Sequence, residues 1–340
     1  MRTVWKVLPL LLAVLLTRQA AAQAPLQAPP GLGNSGKRGF ADYLLSDYHR
    51  AFAQSPSGSW GYAAARRTPA EAAERAVEIC QRQGATCKVV TINDRAVADG
   101  PIPDASAWPP PAANVGELRA PAGFIWHGAA KAKGAIVWSH GVAPGQAASW
   151  ATSVPRYVRR FNAAGWDVWR FDRDPRYDTI DWATGKLLDG VAGLRQAGYG
   201  RIIASGQSRG AWHSINALRT ASAIDAVIAT APAAHGTSEG SVKVLRGFDD
   251  FRLMLGRIEN RKARVAIFTF DKDDYDPDPA ARGALARAEF DRFGNATFIA
   301  ARPAGLEGHS IGSSSEFDAK FGACLLRFVD SSAPGPFACR

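Results

Sequence analysis

Cysteine and methionine are scarce in this chain of 340 residues, which has four and two of them respectively. Cys80, Cys87, Cys324 and Cys339 show no C-x-x-C spacing and no neighbouring histidine, so the common zinc patterns are excluded and no metal is expected. The formal charge of +10 is not gathered into a Lys/Arg block, and nothing else in the sequence points to nucleic acid. A basic surface of this kind favours only loose attraction to anionic envelope polymers. Beyond the first 22 residues no apolar run approaches the roughly 20 residues that a membrane span requires, so none is expected. Internal repeats are lacking too. With 46% hydrophobic and 21% charged residues, the chain can bury one substantial core and a small second one.

The one long apolar stretch is N-terminal. Arg2 and Lys6 precede "VLPLLLAVLL" (7–16), and "RQAAA" follows with small residues at Ala20 and Ala22. That order is expected of a secretory signal peptide over residues 1–22, cut near Ala22, and it places the mature protein in the periplasm or outside the cell. Taking Arg2, Lys6 and Arg18 from the charge of +10 leaves +7. An even cysteine count in an exported protein suggests disulfides. Of the three pairings possible, the sequence-local one is expected: Cys80 with Cys87, and Cys324 with Cys339.

Residues 23–39, rich in Pro, Gly and small polar residues, read as a flexible lead-in. A small module follows over 40–99. In it "YHRAFAQ" and "WGYAAA" are strands joined by "SPSGS", "TPAEAAERAVEICQRQG" is a helix, and "CKVVTI" is a third strand. Thr68, Pro69 and Glu71 mark the helix start and Gly84 its end. The module resembles small hairpin–helix–strand domains of exported bacterial proteins, and no chemistry is implied by it. A proline-rich linker spans 100–115. From 116 to about 330 short apolar runs alternate with helix-like segments, the pattern of an α/β fold with a mostly parallel sheet; 331–340 reads as a C-terminal tail. Ligands bind such sheets at the edge formed by the strand C-termini.

At that edge stands "RIIASGQSRGAWHSINAL" (201–218), a strand, a G-x-S-x-G turn and a helix. Gly206 and Gly210 let strand and helix approach, which a nucleophile elbow at Ser208 needs. A serine nucleophile also needs a base. His309, in "GLEGHSIG" between the last strand and the last helix, lies at the same edge and comes last in chain order. His235 is the runner-up; His49, His127, His140 and His213 read as structural or surface residues. The orienting acid is sought after "RVAIFTF", where "DKDDYDPDP" offers several carboxylates. Asp274 is favoured, Asp273 is the alternative and Asp276 stands third. The loop lacks the EF-hand calcium pattern. For an oxyanion, the backbone N–H groups of Arg209 and of Val142, in "HGVAPGQ" after "GAIVWS", are the expected donors.

Together "HGVAPG", "GQSRG", "DKDDYDP" and "GHS" resemble the α/β-hydrolase superfamily, over roughly 116–330. The elbow and "GWDVWRFDR" are more similar to dienelactone-hydrolase-like and other bacterial esterases than to lipases. The resemblance implies a serine hydrolase acting through an acyl-enzyme, with Ser208 attacking, His309 moving the proton, Asp274 orienting it, and no cofactor. Asp271 stands where many members have glycine, which leaves the register of the acid open. Only 27 residues separate "ATAPAAHG" from "RVAIFTF", enough for a short cover but no large lid. A small-molecule ester is the expected substrate. A peptidase or amidase on the same fold, and a catalytically idle binding protein, are the alternatives. Arg173, Arg176 and Arg209 either bind an anionic group or pair structurally; Trp138, Trp150, Trp182 and Trp212 either line a pocket or belong to the core.

Overall fold

A computed structural model describes residues 26–46, 50–64, 66, 69–83, 86–93, 95–97, 114–121, 124–142, 154–173, 178–220, 223–234 and 242–339. The expected signal peptide lies outside these residues. So do most of the linker and His49, Trp150, Arg176 and His235.

The N-terminal module has helix α1 (Asn34–Leu45), strands β1 (Ala51–Gln54) and β2 (Trp60–Ala63), helix α2 (Pro69–Gln81), and strands β3 (Lys88–Ile92) and β4 (Arg95–Ala96). Its antiparallel sheet runs β2-β1-β3-β4, one short strand more than expected. Ala72, Ala76 and Cys80 of α2 pack on Ala51 and Ala53, and Cys80 is joined to Cys87. The lead-in is shorter than its composition implies, because α1 starts at Asn34. Two of its glycines, Gly36 and Gly39, serve close approach. A Cβ on Gly39 would lie 2.3 Å from the ring of Trp60, and Phe40 and Tyr43 bury against Phe52 in a separate aromatic core. The Leu44 carbonyl at the end of α1 accepts from Arg156 Nη2 at 2.8 Å, tying the module to the larger unit.

The larger unit follows the expected alternation. After β5 (Asn114–Val115) and β6 (Leu118–Arg119) come β7 (Gly134–Ser139), α3 (Arg156–Ala163), β8 (Trp166–Phe171), α4 (Ile180–Gln196) and β9 (Ile202–Gln207). Next are α5 (Arg209–Asn216), β10 (Ala226–Thr230), α6 (Val242–Leu255), β11 (Arg264–Thr269), α7 (Pro279–Phe293) and β12 (Thr297–Ala301). The chain closes with α8 (Ser315–Phe317) and α9 (Ala323–Asp330), joined by a π-helical turn over Asp318–Gly322. The sheet order is β12-β11-β10-β9-β7-β8-β6-β5. β7 to β12 pair in parallel, and β6 and β5 extend one edge antiparallel.

Two expectations need correction here. The first apolar run of the alternating region, "GFIWHG", is expected to be a strand, but Phe124–Gly128 form none: the N–H groups of Ile125 and His127 donate to Asn162 Oδ1 (2.8 Å) and Asp167 Oδ1 (2.7 Å), side chains that replace a ladder. Asn114 and Val115, placed in the linker, pair with Arg119 and Leu118 instead.

Both faces of the sheet are covered. Leu187, Leu194, Trp212, Ile215, Phe251 and Phe290 of the helices α4 to α7 cover one, together with Ala135 and Val137 of β7. Ile136 and Trp138 point the other way, to Tyr157, Phe161, Phe317, Leu325 and Phe328. Near-continuous burial along β7, β8 and β10 is what a doubly covered parallel sheet demands. Trp138 and Trp212 are thus core residues, whereas Trp182 is exposed.

β8 lies on one side of β7 and β9 on the other, so the strand order reverses between β7 and β9. Chains leaving the two strands diverge there and open a crevice at the C-terminal edge. The candidate site occupies that crevice.

Candidate active site

Ser139 and Gly206 are paired across β7 and β9, so the chain leaves both strands at one level. Two residues after Gly206, Ser208 sits with φ 56° and ψ −120°, a conformation rare for a residue with a side chain. Its N–H donates to Thr230 O at 3.0 Å, and its carbonyl accepts from Trp212 N and Ala233 N (3.0 and 3.2 Å). The turn is therefore held from β10 and from α5. Strain kept in place by surrounding structure is typical of functional positions. A Cβ on Gly210 would come within 1.9 Å of the Ser139 carbonyl oxygen, so only glycine lets α5 start this close to β7.

The segment after β7 lies against this turn. A Cβ on Gly141 would be 2.6 Å from Gln207 Oε1 and 3.1 Å from Ser208 Cβ. Val142 follows and its side chain is exposed (53%). Arg209 is the first residue of α5, where helix N–H groups have no intrahelical acceptor.

His309 is brought to the same edge. Gln207 Nε2 donates to the His309 carbonyl at 3.0 Å, which fastens the histidine loop to the residue before Ser208. The His309 ring lies on Tyr275, with centroids 4.0 Å apart. Its Nδ1 is 2.7 Å from Asp273 Oδ1, and the carboxylate is 2% exposed. Asp273 in turn accepts from Tyr275 N at 2.9 Å. An imidazole that donates from Nδ1 keeps its lone pair on Nε2. That Nε2 is buried and has no hydrogen-bond partner among the described residues.

The favoured acid was Asp274; the residue at the histidine is Asp273. Asp274 is exposed. Its neighbours have distinct partners. Asp271 pairs with Arg302. Asp276, buried, is 3.4 Å from Arg282 Nε, and burial pushes its carboxyl up to about 6 against the pull of Arg282. Asp278 caps α7 by accepting from Ala281 N at 2.9 Å. The loop is a row of separate anchor points rather than a solvated cluster. Among the described residues no group of three or more His, Cys, Asp or Glu could hold a metal ion.

A second polar cluster lies behind the turn. Arg173, 2% exposed at the end of β8, donates to Ser139 Oγ (2.7 Å) and to the His140 carbonyl (2.6 Å). Its backbone N–H donates to His140 Nε2 at 3.1 Å, so the protonated Nδ1 of His140 is left to donate to the Gly141 carbonyl. Burial and the Arg173 charge push His140 down to about 4, a neutral ring with a structural task. Asp178 is 3.1 Å from Arg173 Nε and 3.1 Å from His213 Nε2. Burial would raise its carboxyl, yet the His213 hydrogen bond and the Arg173 charge hold it well below the usual range. His213, pushed down to about 4 by burial, accepts from Thr184 Oγ1 at Nδ1. Arg209 Nη2 donates to the Asp178 carbonyl at 2.7 Å and its Nη1 to Ala234 O.

Arg173 and Arg209 therefore pair within the protein. Asp178, Gln207 and Tyr275 were not singled out from the sequence. Asp178 had one usable signal: a carboxylate just before the Thr179 N-cap of α4, near the end of a parallel strand.

No protein-family model matches the chain, and no curated protein matches it. Among solved structures it is similar to the Pyrococcus furiosus esterase Pf2001, at 19% identity and a TM-score of 0.44, over 58% of this chain and 83% of that one. It is also similar to a structure from work on LipS and LipT, two metagenome-derived lipolytic enzymes, at 12% identity and a TM-score of 0.41 (64% and 99%). A third is the Pyrococcus horikoshii acylaminoacyl peptidase, at 13% identity and a TM-score of 0.45 (60% and 39%). At such values the likeness transfers neither activity nor site residues. The chain's own geometry is that of an α/β fold with a mostly parallel eight-stranded sheet, a strained serine between β9 and α5, and a His–Asp pair from the loops after β12 and β11.

Proposed function

We propose that the protein is an exported serine hydrolase that cleaves small carboxylic esters through an acyl-enzyme on Ser208. The observation that carries this reading is the His309–Asp273 pair, with Nε2 buried and unpartnered on a loop that Gln207 fastens to the serine turn. In the proposed cycle Nε2 takes the Ser208 proton as Oγ attacks the ester carbonyl, and Asp273 stabilises the imidazolium through Nδ1–H. The oxyanion accepts from the N–H groups of Arg209 and Val142. His309 then returns its proton to the departing alcohol. Water, deprotonated by the same nitrogen, attacks the acyl carbonyl; the bond to Ser208 Oγ breaks, the acid leaves, and the proton returns to Oγ. Two disulfides, Cys80–Cys87 and Cys324–Cys339, support an oxidising compartment. No helix among the described residues is long and apolar enough to cross a membrane.

A fluorophosphonate probe and a panel of short aryl esters, long acyl esters and peptides test the proposal together. The probe is expected on Ser208, and short esters are expected to turn over fastest. Folded protein without the adduct would point to the idle binding protein. Peptides turned over faster than any ester would point to the amidase.

A further inference from the structure

The two expected oxyanion donors belong to different segments. Val142 lies after β7, and Arg209 opens α5. Donors of this kind act only if held in place before charge develops, because their advantage is that they need not reorganise. The β7–β9 ladder sets the level at which the two segments leave the sheet, and beyond it side chains have to hold them.

On one side, Arg173 grips His140 at its carbonyl and at its ring nitrogen, and grips Ser139 at its hydroxyl, just before Gly141 and Val142. On the other, the Arg209 side chain donates to the Asp178 carbonyl and to Ala234 O, and its Nε is 3.8 Å from Asp178 Oδ1. One turn into α5, His213 meets the same oxygen at 3.1 Å. The Asp178 carboxylate stands between these groups, with Oδ2 3.1 Å from Arg173 Nε. Side-chain exposure is 0% for Arg173 and His213, 7% for Asp178 and 18% for Arg209. A carboxylate buried with guanidinium groups is weak as a source of stability, since desolvation offsets the Coulombic attraction. It is well suited to fixing geometry.

We infer that the Arg173–Asp178–Arg209 cluster is a clamp that sets the spacing of the two oxyanion donors, making Arg173 and Asp178 positioning residues for the reaction. This rests on the Ser208 reading above. The clamp explains why a guanidinium at the start of the nucleophile helix is turned inward. It also gives the His140 ring its role, since the ring acts as a handle for Arg173.

The full-length oxidised protein tests the clamp. Arg173→Lys keeps the charge but loses the forked grip, and Asp178→Asn keeps the shape but loses the charge. Each is assayed for kcat and KM on a short aryl ester, and for inhibition by phenylboronic acid, which forms a tetrahedral anionic adduct on an active serine. A donor deleted outright costs about 10²–10³ in kcat, and a displaced one should cost less. The expected result is a fall in kcat of about 10–100-fold, KM within about threefold, and boronate affinity lost in step with kcat. Wild-type kcat and boronate affinity in both variants would overturn the clamp, as would a change in KM alone. Should either variant fail to fold, Ser139→Ala leaves every charge paired and removes one acceptor of Arg173. It is expected to lower kcat and boronate affinity together by a few-fold, and no change in either would overturn the clamp. Ser208→Ala separates the two levels of argument: ester turnover surviving that change sinks the nucleophile reading itself, whatever the clamp variants do.

Discussion

His309 Nδ1 lies 2.7 Å from Asp273 Oδ1, while Asp274, the next residue, is exposed to solvent. The hydrogen bond selects the imidazole tautomer with its lone pair on Nε2, which is the form a general base requires. Asp273→Asn would allow the opposite tautomer and is expected to lower kcat by about 10²–10⁴-fold with little change in KM. Asp274→Asn is expected to stay within about twofold. Steady-state kinetics on one short ester decides the matter. Equal, slight losses from both changes would mean that neither carboxylate orients the histidine.

The fate of the aspartate loop shows what the sequence could and could not convey. "DKDDYDPDP" announced that a carboxylate follows β11, because strand and loop patterning place it there. Which carboxylate faces the histidine depends on the turn of the backbone, including Lys272 at φ 54°, and on side chains that arrive from far along the chain. Arg302, Arg282 and His309 claim Asp271, Asp276 and Asp273 respectively. The strand–elbow–helix unit was legible because its constraints are local: glycines within two residues of Ser208 and an apolar strand before it. Arg173, Asp178 and Arg209 come from the exits of β8 and β9 and the start of α4. Their pairing reflects strand order, which no local pattern encodes.

The closeness of α5 to β7 yields a second prediction. A methyl group on Gly210 would overlap the Ser139 carbonyl, which lies in a buried strand and has no room to yield. Gly210→Ala is expected to destabilise the protein by about 3 kcal/mol, the upper end of the usual cost of overpacking, and to abolish fluorophosphonate labelling. Gly200→Ala is the control, because a Cβ there meets nothing within 4 Å. It is expected to stay within about 0.5 kcal/mol of the parent in urea unfolding. A fully labelled, equally stable Gly210→Ala protein would contradict the packing described here.

Acid should weaken the fold in a definable window. His140 and His213 sit near 4 in the folded protein, against 6.5 for the ordinary residue, with burial the main cause in both. Between those values the unfolded chain binds more protons, so their contribution is fully present above pH 6.5 and is lost as the pH falls towards 4. Asp276 opposes them. Raised from 3.8 to about 6, it binds its proton more tightly in the folded state, and its contribution fades as the pH rises through 6. With two histidines against one carboxylate, stability is expected to fall from pH 6.5 to 4.5. Asp276→Asn should make that fall steeper. Urea midpoints measured across the range test both statements, and a flat or inverted profile would refute them.

The C-terminal segment carries the last prediction, on stability without activity. Residues 331–339 are more than a tail. Phe337 N donates to Thr297 O at 2.7 Å, and Thr297 N donates to Gly335 O at 3.1 Å, so the segment pairs with the first residue of β12 at the open edge of the sheet. Phe337 packs on Phe298 and Phe328, and Cys339 is bonded to Cys324 of α9. An uncovered edge strand is a template for pairing with other chains, and the disulfide keeps the cover in place. Thr297 is at the start of β12, the end of the strand opposite the edge that holds the candidate site. Cys324→Ser with Cys339→Ser is therefore expected to lower stability by about 3 kcal/mol, the value for a cross-linked loop of some 15 residues. Aggregation on warming should rise, while kcat at 25 °C stays within about twofold. Thermal unfolding, light scattering and ester kinetics on the same sample separate these effects. A matching loss of kcat in protein that is still folded would mean that the C-terminal segment reaches the site by a route the sheet geometry does not provide.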